Sequence, residues 1–277
     1  GSRSWSTQEN SMPKALLFDT PASLPFPLNI SHYHVFASGR AREGLKDEAL
    51  DSPESWDALR ESDPMFSIAQ TRDEWVRVNE EAIRKDGQDE RLRERGKDIA
   101  SLLSQKGITT LFSTGSGGAG LEYHILKNLS GLKVVCSEYA PKSVELLRNV
   151  FTEAEVIQLD ITSTDWSSIT ARADANTTVC LMYRLDAGFT DRQWKDIFAS
   201  LARAGVKQVL YIPTGFLTLR SLVSRLRLRL SWMLSGTPMV YAGHLRTKAT
   251  FETYWQRHFT ATEHVVGGMT GFWLTRN

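Results

Sequence analysis

Cysteine, long apolar runs and, over one extended stretch, acidic residues are what this chain has least of. Its 277 residues hold two cysteines, Cys136 and Cys180. Both fall in short apolar segments that read as buried strands, where a thiol behaves as a small apolar side chain, so a disulfide framework does not fit. No stretch approaches the roughly 20 apolar residues of a membrane span, and the N-terminus has no apolar signal core, so a cytoplasmic location is expected. No histidine is paired with serine or cysteine in a nucleophile-elbow setting, which removes support for hydrolase chemistry. His32 and His34 alternate on a strand-like segment, but no third ligand joins them at motif spacing, and no metal site is expected. A formal net charge of +1 and the lack of a recognisable RNA-binding module argue against a nucleic-acid partner.

What the chain does have is a run from Leu111 to Gly120, Leu-Phe-Ser-Thr-Gly-Ser-Gly-Gly-Ala-Gly, that passes from apolar to glycine-rich and then into the helix-like Leu121–Leu129. This reads as strand, tight turn and helix start. Such a turn lets backbone N–H groups approach a ligand with no Cβ in the way, and the helix start adds partial positive charge. A second buried-strand pattern, residues 133–137, ends at Glu138, and a third, residues 154–159, ends at Asp160. Acidic groups thus stand at the carboxyl ends of two consecutive strands, the edge at which open α/β sheets bind ligands, and an acid after the second strand suits ribose hydroxyls. Further strands are expected at 177–182 and 207–212. Residues 259–266, Gly267-Gly268 and residues 269–275 read as a β-hairpin.

A dinucleotide-binding dehydrogenase is expected to continue after the fifth strand with more parallel units, whereas a hairpin is what the residues up to 277 lead one to expect. The chain from Ile108 to Asn277 instead resembles a class I S-adenosylmethionine (SAM)-dependent methyltransferase, a family whose seven-stranded sheet ends in an antiparallel hairpin. The resemblance implies a three-layer, Rossmann-like α/β fold with SAM as cofactor. It implies that Gly115 and Gly117 line the methionine part, that Glu138 holds the ribose, and that Asp160 and Ile161 flank the adenine. Tyr183 and Arg184 would fall beside the transferred methyl. The family usually carries Asp or Glu where this chain has Ser113, counted with the cofactor residues. Either another acid such as Glu122 substitutes, or binding is weakened, or the site is repurposed. Arg184 is a candidate clamp for an acceptor carboxylate or phosphate and Asp186 a candidate base, with His244 and Tyr211 as further possibilities. The Asn-Pro-Pro-Tyr type signature is absent, which favours oxygen acceptors or other small-molecule nitrogens. The expected activity is methyl transfer to a small, anionic or amphiphilic acceptor. An NAD(P)-dependent oxidoreductase and a non-catalytic scaffold are the alternatives.

Residues 1–12 are expected to be a vector-derived or disordered tail and 13–107 an N-terminal extension with helices that cover the substrate or bury a sheet edge. Residues 108–277 are the expected cofactor domain, with an insertion at about 214–258. Between Asp196 and Glu252 there is no acidic residue, while Arg203, Lys207, Arg220, Arg225, Arg227, Arg229, Arg246 and Lys248 are basic. At about 100° per residue, Leu219, Leu222, Val223, Leu226, Leu230, Met233 and Leu234 share an arc of about 120°, so residues 217–234 form a basic amphipathic helix. Three roles are open for it: packing on the sheet or the N-terminal helices, roofing an acceptor pocket, or peripheral contact with a membrane.

Overall fold

The computed structural model describes residues 24–34, 52–62, 67–81, 88–171, 174–235 and 240–277. In chain order the elements are β1 (Asn29–His34), α1 (Pro53–Ser62), α2 (Arg72–Glu81), α3 (Gln88–Gln105), β2 (Thr110–Thr114), α4 (Gly120–Asn128), β3 (Lys133–Glu138) and α5 (Pro141–Val150). There follow β4 (Glu155–Gln158), α6 (Ser167–Thr170), β5 (Thr178–Tyr183), α7 (Asp191–Arg203), β6 (Gln208–Ile212), α8 (Leu219–Ser235), β7 (Val240–Arg246), α9 (Lys248–Trp255), β8 (Phe259–Val266) and β9 (Met269–Arg276).

Seven strands form one sheet in the order β4-β3-β2-β5-β6-β9-β8. The first five are parallel; β9 runs antiparallel to β6 and closes a hairpin with β8. The expected mixed sheet with a C-terminal antiparallel hairpin is therefore present. Side chains alternate along each strand, and both faces are buried, as a largely parallel sheet requires. Leu111, Val134, Val179 and Leu181 point to a core that includes Trp75 of α2, Ile99 and Leu103 of α3 and Ile125 of α4. Phe112, Val135, Cys180 and Met182 point the other way, to Trp194, Phe198 and Leu201 of α7 and Phe251 and Trp255 of α9. Both cysteines are buried and unpaired.

Two features position the site. β1 pairs antiparallel with β7 in a separate two-stranded sheet, so a segment before the cofactor fold is stitched to one after the fifth parallel strand. α7 begins with a capping box: Thr190 Oγ1 accepts from Gln193 N while Gln193 Oε1 accepts from Thr190 N. The side chains of His32 and His34 lie outside the described residues. α8 forms where the periodicity predicts it, but its apolar arc is not packed on the sheet: Leu219, Val223, Leu226, Leu230, Met233 and Leu234 are all exposed. Leu222 of the same arc is half-buried, so among the described residues packing accounts for only the edge of the arc.

Candidate functional site

The turn after β2 is built from left-handed backbone. Gly115 and Gly117 sit at φ +59° and +60°, and Ala119 adopts the same region at φ 56° despite its Cβ. Ser116 N donates to Ser137 O of β3 (3.0 Å) and Ala119 N to Ser116 O (2.8 Å), which fixes the turn against the neighbouring strand. A Cβ on Gly117 would meet no atom within 4 Å, so that position faces open space. Ala119 gives α4 no side-chain cap, leaving the helix's positive end at the site.

A cleft of about 1170 Å³ opens along the carboxyl edge of the sheet. Residues 114–118 and 120–122, Glu138, Tyr139, residues 159–162, residues 183–185, residues 187–190, Gly243 and His244 line it. Trp56 and Arg60 of α1 and Trp75 and Asn79 of α2 contribute from the N-terminal side. Of the residues expected to hold cofactor, Gly115, Gly117, Glu138, Asp160 and Ile161 come together here, and Tyr183 and Arg184 stand on the same cleft.

Ser113 and Asp186 do not line it. Ser113 is buried and its hydroxyl donates to Glu122 Oε1 at 2.5 Å. Glu122 does line the cleft, is only 2% exposed, and its Oε2 has no hydrogen-bond partner. Burial pushes its carboxyl up to about 7, against the opposing effect of the Ser113 hydrogen bond. A buried carboxylate thus stands on the cleft in the first turn of the helix, oriented by the hydroxyl of Ser113.

Asp186 is buried beneath the loop that follows β5. Its Oδ1 accepts from Thr214 N (2.6 Å) and Thr214 Oγ1 (2.8 Å), tying that loop to the end of β6. Burial raises its pKa, partly offset by the Thr214 hydrogen bonds. The side chain is turned from the cleft and one of its oxygens holds a neighbouring loop, a geometry that favours a structural part. Tyr211 is likewise fully buried among Trp194, Phe198 and Phe251.

Glu138 makes a different set of contacts. Its Oε2 accepts from Gly117 N (2.7 Å), its Oε1 accepts from Tyr139 N (3.2 Å), and Arg60 Nη2 of α1 approaches Oε1 at 3.1 Å. Arg60 Nη1 is buried with no hydrogen-bond partner. One cleft therefore holds an unpartnered carboxylate oxygen and an unpartnered guanidinium nitrogen, an arrangement that suits a ligand with both charges. Asp160 is internally satisfied: burial raises its pKa, but hydrogen bonds from Thr162 and Ser163 outweigh this and leave it low and ionised.

The geometry gives His244 a defined state. Asn29 Nδ2 donates to Asp191 Oδ1 (2.7 Å), which leaves Asn29 Oδ1 to accept from His244 Nδ1 (3.1 Å). The proton therefore sits on Nδ1, and Nε2 carries the lone pair. Burial first, and the nearby Arg246 guanidinium second, hold its pKa below the ordinary histidine range, so the ring is neutral at pH 7. Asp191 in turn accepts from Arg246 Nε (2.9 Å) and Tyr254 Oη (2.8 Å). Arg246 is fully buried and also donates to the carbonyls of Asp186 and Phe189, clamping the cleft-lining loop. Asn29 lies more than 200 residues from His244, so no local motif announces this chain of contacts.

The sequence matches no protein-family model and no curated protein. The fold does match solved structures. Human N-acetylserotonin methyltransferase in complex with SAM aligns at TM-score 0.50 and 12% identity, over 86% of this chain and 64% of that one. The mitomycin 7-O-methyltransferase MmcR aligns at 0.50 and 16% identity, over 87% and 76%. An O-methyltransferase family protein from Burkholderia thailandensis aligns at 0.50 and 13%, over 86% and 67%. The chain thus spans just under two thirds of the human protein's length. With its hairpin-ended seven-stranded sheet and its cleft at the glycine turn, this chain has the fold of the class I SAM-dependent methyltransferases.

Proposed function

We propose that the protein transfers a methyl group from SAM to a small acceptor with an acidic O–H, held through an anionic group. The observation that carries this is Glu122: a buried carboxylate with an unpartnered oxygen, on the cleft beside the glycine turn, matched to a cationic ligand group. The residues present fit SAM. Glu122 would take its ammonium group, Gly115 and Gly117 would pass beside its methionine part, Glu138 would receive the ribose hydroxyls, and Asp160 with Ile161 would flank the adenine. When bound, SAM supplies a sulfonium-activated methyl group.

The remaining work falls to the protein. The cleft aligns the acceptor and shields the site from water. His244 Nε2 takes the acceptor proton, with Asn29 and Asp191 fixing its tautomer. Arg184, exposed at the cleft mouth in a left-handed conformation, holds the acceptor's anionic group. The resemblance to O-methyltransferase structures and the lack of an amide-nitrogen signature support an oxygen acceptor. Calorimetric titration with SAM and S-adenosylhomocysteine tests the cofactor half of the proposal: Glu122→Gln is expected to weaken SAM at least about tenfold, the scale of a lost charge-assisted hydrogen bond. Unchanged affinity in that variant would remove Glu122 from the site.

A further inference from the structure

Among the described residues, most of the apolar arc of α8 is open to solvent, with Leu222 half-buried at its edge. Leu219, Leu226, Leu230, Met233 and Leu234 are 58% to 80% exposed, with Val223 at 40%, and all six fall in one arc of about 120°. Arg220 and Arg227 border the arc on one side, Arg225 and Arg229 on the other, and the helix holds no acidic residue. None of its described residues lines the cleft, so the pocket-roof role does not account for the stripe.

We propose that α8 is a membrane-surface helix that seats its leucines at the headgroup boundary of an anionic bilayer. Charge decides the occupant. A second copy laid along the same stripe would bring arginine rows against arginine rows with no carboxylate on either helix to offset them. A polyanion such as nucleic acid rewards the arginines but leaves the leucines in water. An anionic lipid surface satisfies both: long arginine side chains reach to phosphate on either side while the apolar arc enters the interface. At 17 residues and with four arginines the helix lies on a membrane rather than crossing it. This inference is independent of the reaction proposed above.

The test is sedimentation of the full chain with large vesicles of phosphatidylcholine alone, or of equimolar phosphatidylcholine and phosphatidylglycerol. The expected result is binding to the mixed vesicles at least about tenfold stronger than to phosphatidylcholine, weakened by salt. Leu226→Glu with Leu230→Glu is expected to abolish binding without changing the melting curve, since both side chains are exposed. Arg220→Gln with Arg227→Gln is expected to reduce the preference for anionic lipid. Failure to sediment with either vesicle, or equal binding by the leucine variant, overturns the proposal. So does a dimer in light scattering that the leucine variant dissociates without any vesicle binding, which assigns the face to a second copy. Binding of a single-stranded oligonucleotide by the leucine variant, lost in the arginine variant, with no vesicle binding assigns the face to nucleic-acid phosphate and overturns it equally.

Discussion

Glu122 sits where a carboxylate is least comfortable, buried with one oxygen unpaired. Its folded pKa of about 7 lies above the ordinary 4.5, so between these values the folded state holds a proton that the unfolded state has released. Stability from this group is therefore intact below pH 4.5, declines up to pH 7 and stays reduced above it. Glu122→Gln is expected to raise stability at pH 8 by up to about 3 kcal/mol and to leave it unchanged near pH 4, read from denaturant midpoints. The same substitution is expected to weaken SAM, the pattern of a residue that costs stability in order to bind. For wild type, SAM affinity is expected to rise as pH climbs from 6 toward 7.5, and Glu122→Gln to flatten that profile. His244→Asn is expected to lower kcat by about 10²- to 10⁴-fold, the range for loss of a general base. In wild type, kcat should fall as pH drops through a value below 6.5, because the folded pKa is lowered. Asp186→Asn should leave that pH profile in place and act on stability instead, because its carboxylate serves Thr214.

At the scale of elements, the clamp between β7 and the loop after β5 holds one wall of the cleft. Arg246→Ala strips Asp191 of its buried partner and frees the carbonyls of Asp186 and Phe189; a loss of roughly 3 kcal/mol is expected by chemical denaturation. Gly243→Ala should act similarly: at φ +109°, an added Cβ would stand 2.0 Å from Ala187 O, with no flexible side chain to give way. The parallel strands were readable because each is a short, largely apolar run, and the hairpin because Gly267 and Gly268 supply the positive φ its turn needs. α8 was readable as a helix, but periodicity reports that a face exists, not what covers it. The β1–β7 pairing and the Asn29–Asp191–Arg246 contacts had no local signal, since each joins segments more than 50 residues apart. For Asp186 the converse holds: its place after a strand put it at the expected edge, while its side chain meets Thr214, 28 residues away, for which there was no local signal. Ser113 was readable as a departure from a pattern and Glu122 as one of its remedies; the hydrogen bond between them had no local signal.

Across the whole molecule, the N-terminal segment and the cofactor fold share one site. Arg60 of α1 reaches Glu138 at the end of β3, Lys142 of α5 pairs with Glu61 at 2.6 Å, and Trp75 of α2 donates to Gly118 O of the glycine turn at 2.8 Å. A ligand filling the cleft therefore tightens both parts together, and saturating SAM at about 100 times its Kd is expected to add roughly 2.7 kcal/mol to unfolding. Hydrogen exchange should slow in residues 52–62 as well as in the turn at 114–118. The most direct test of the central claim is calorimetric titration of the full chain with SAM, S-adenosylhomocysteine and NADPH. Binding of the first two, weakened at least about tenfold in both Glu122→Gln and Glu138→Ala while NADPH gives no heat, is the predicted result; binding of NADPH alone would contradict the assignment of the cleft.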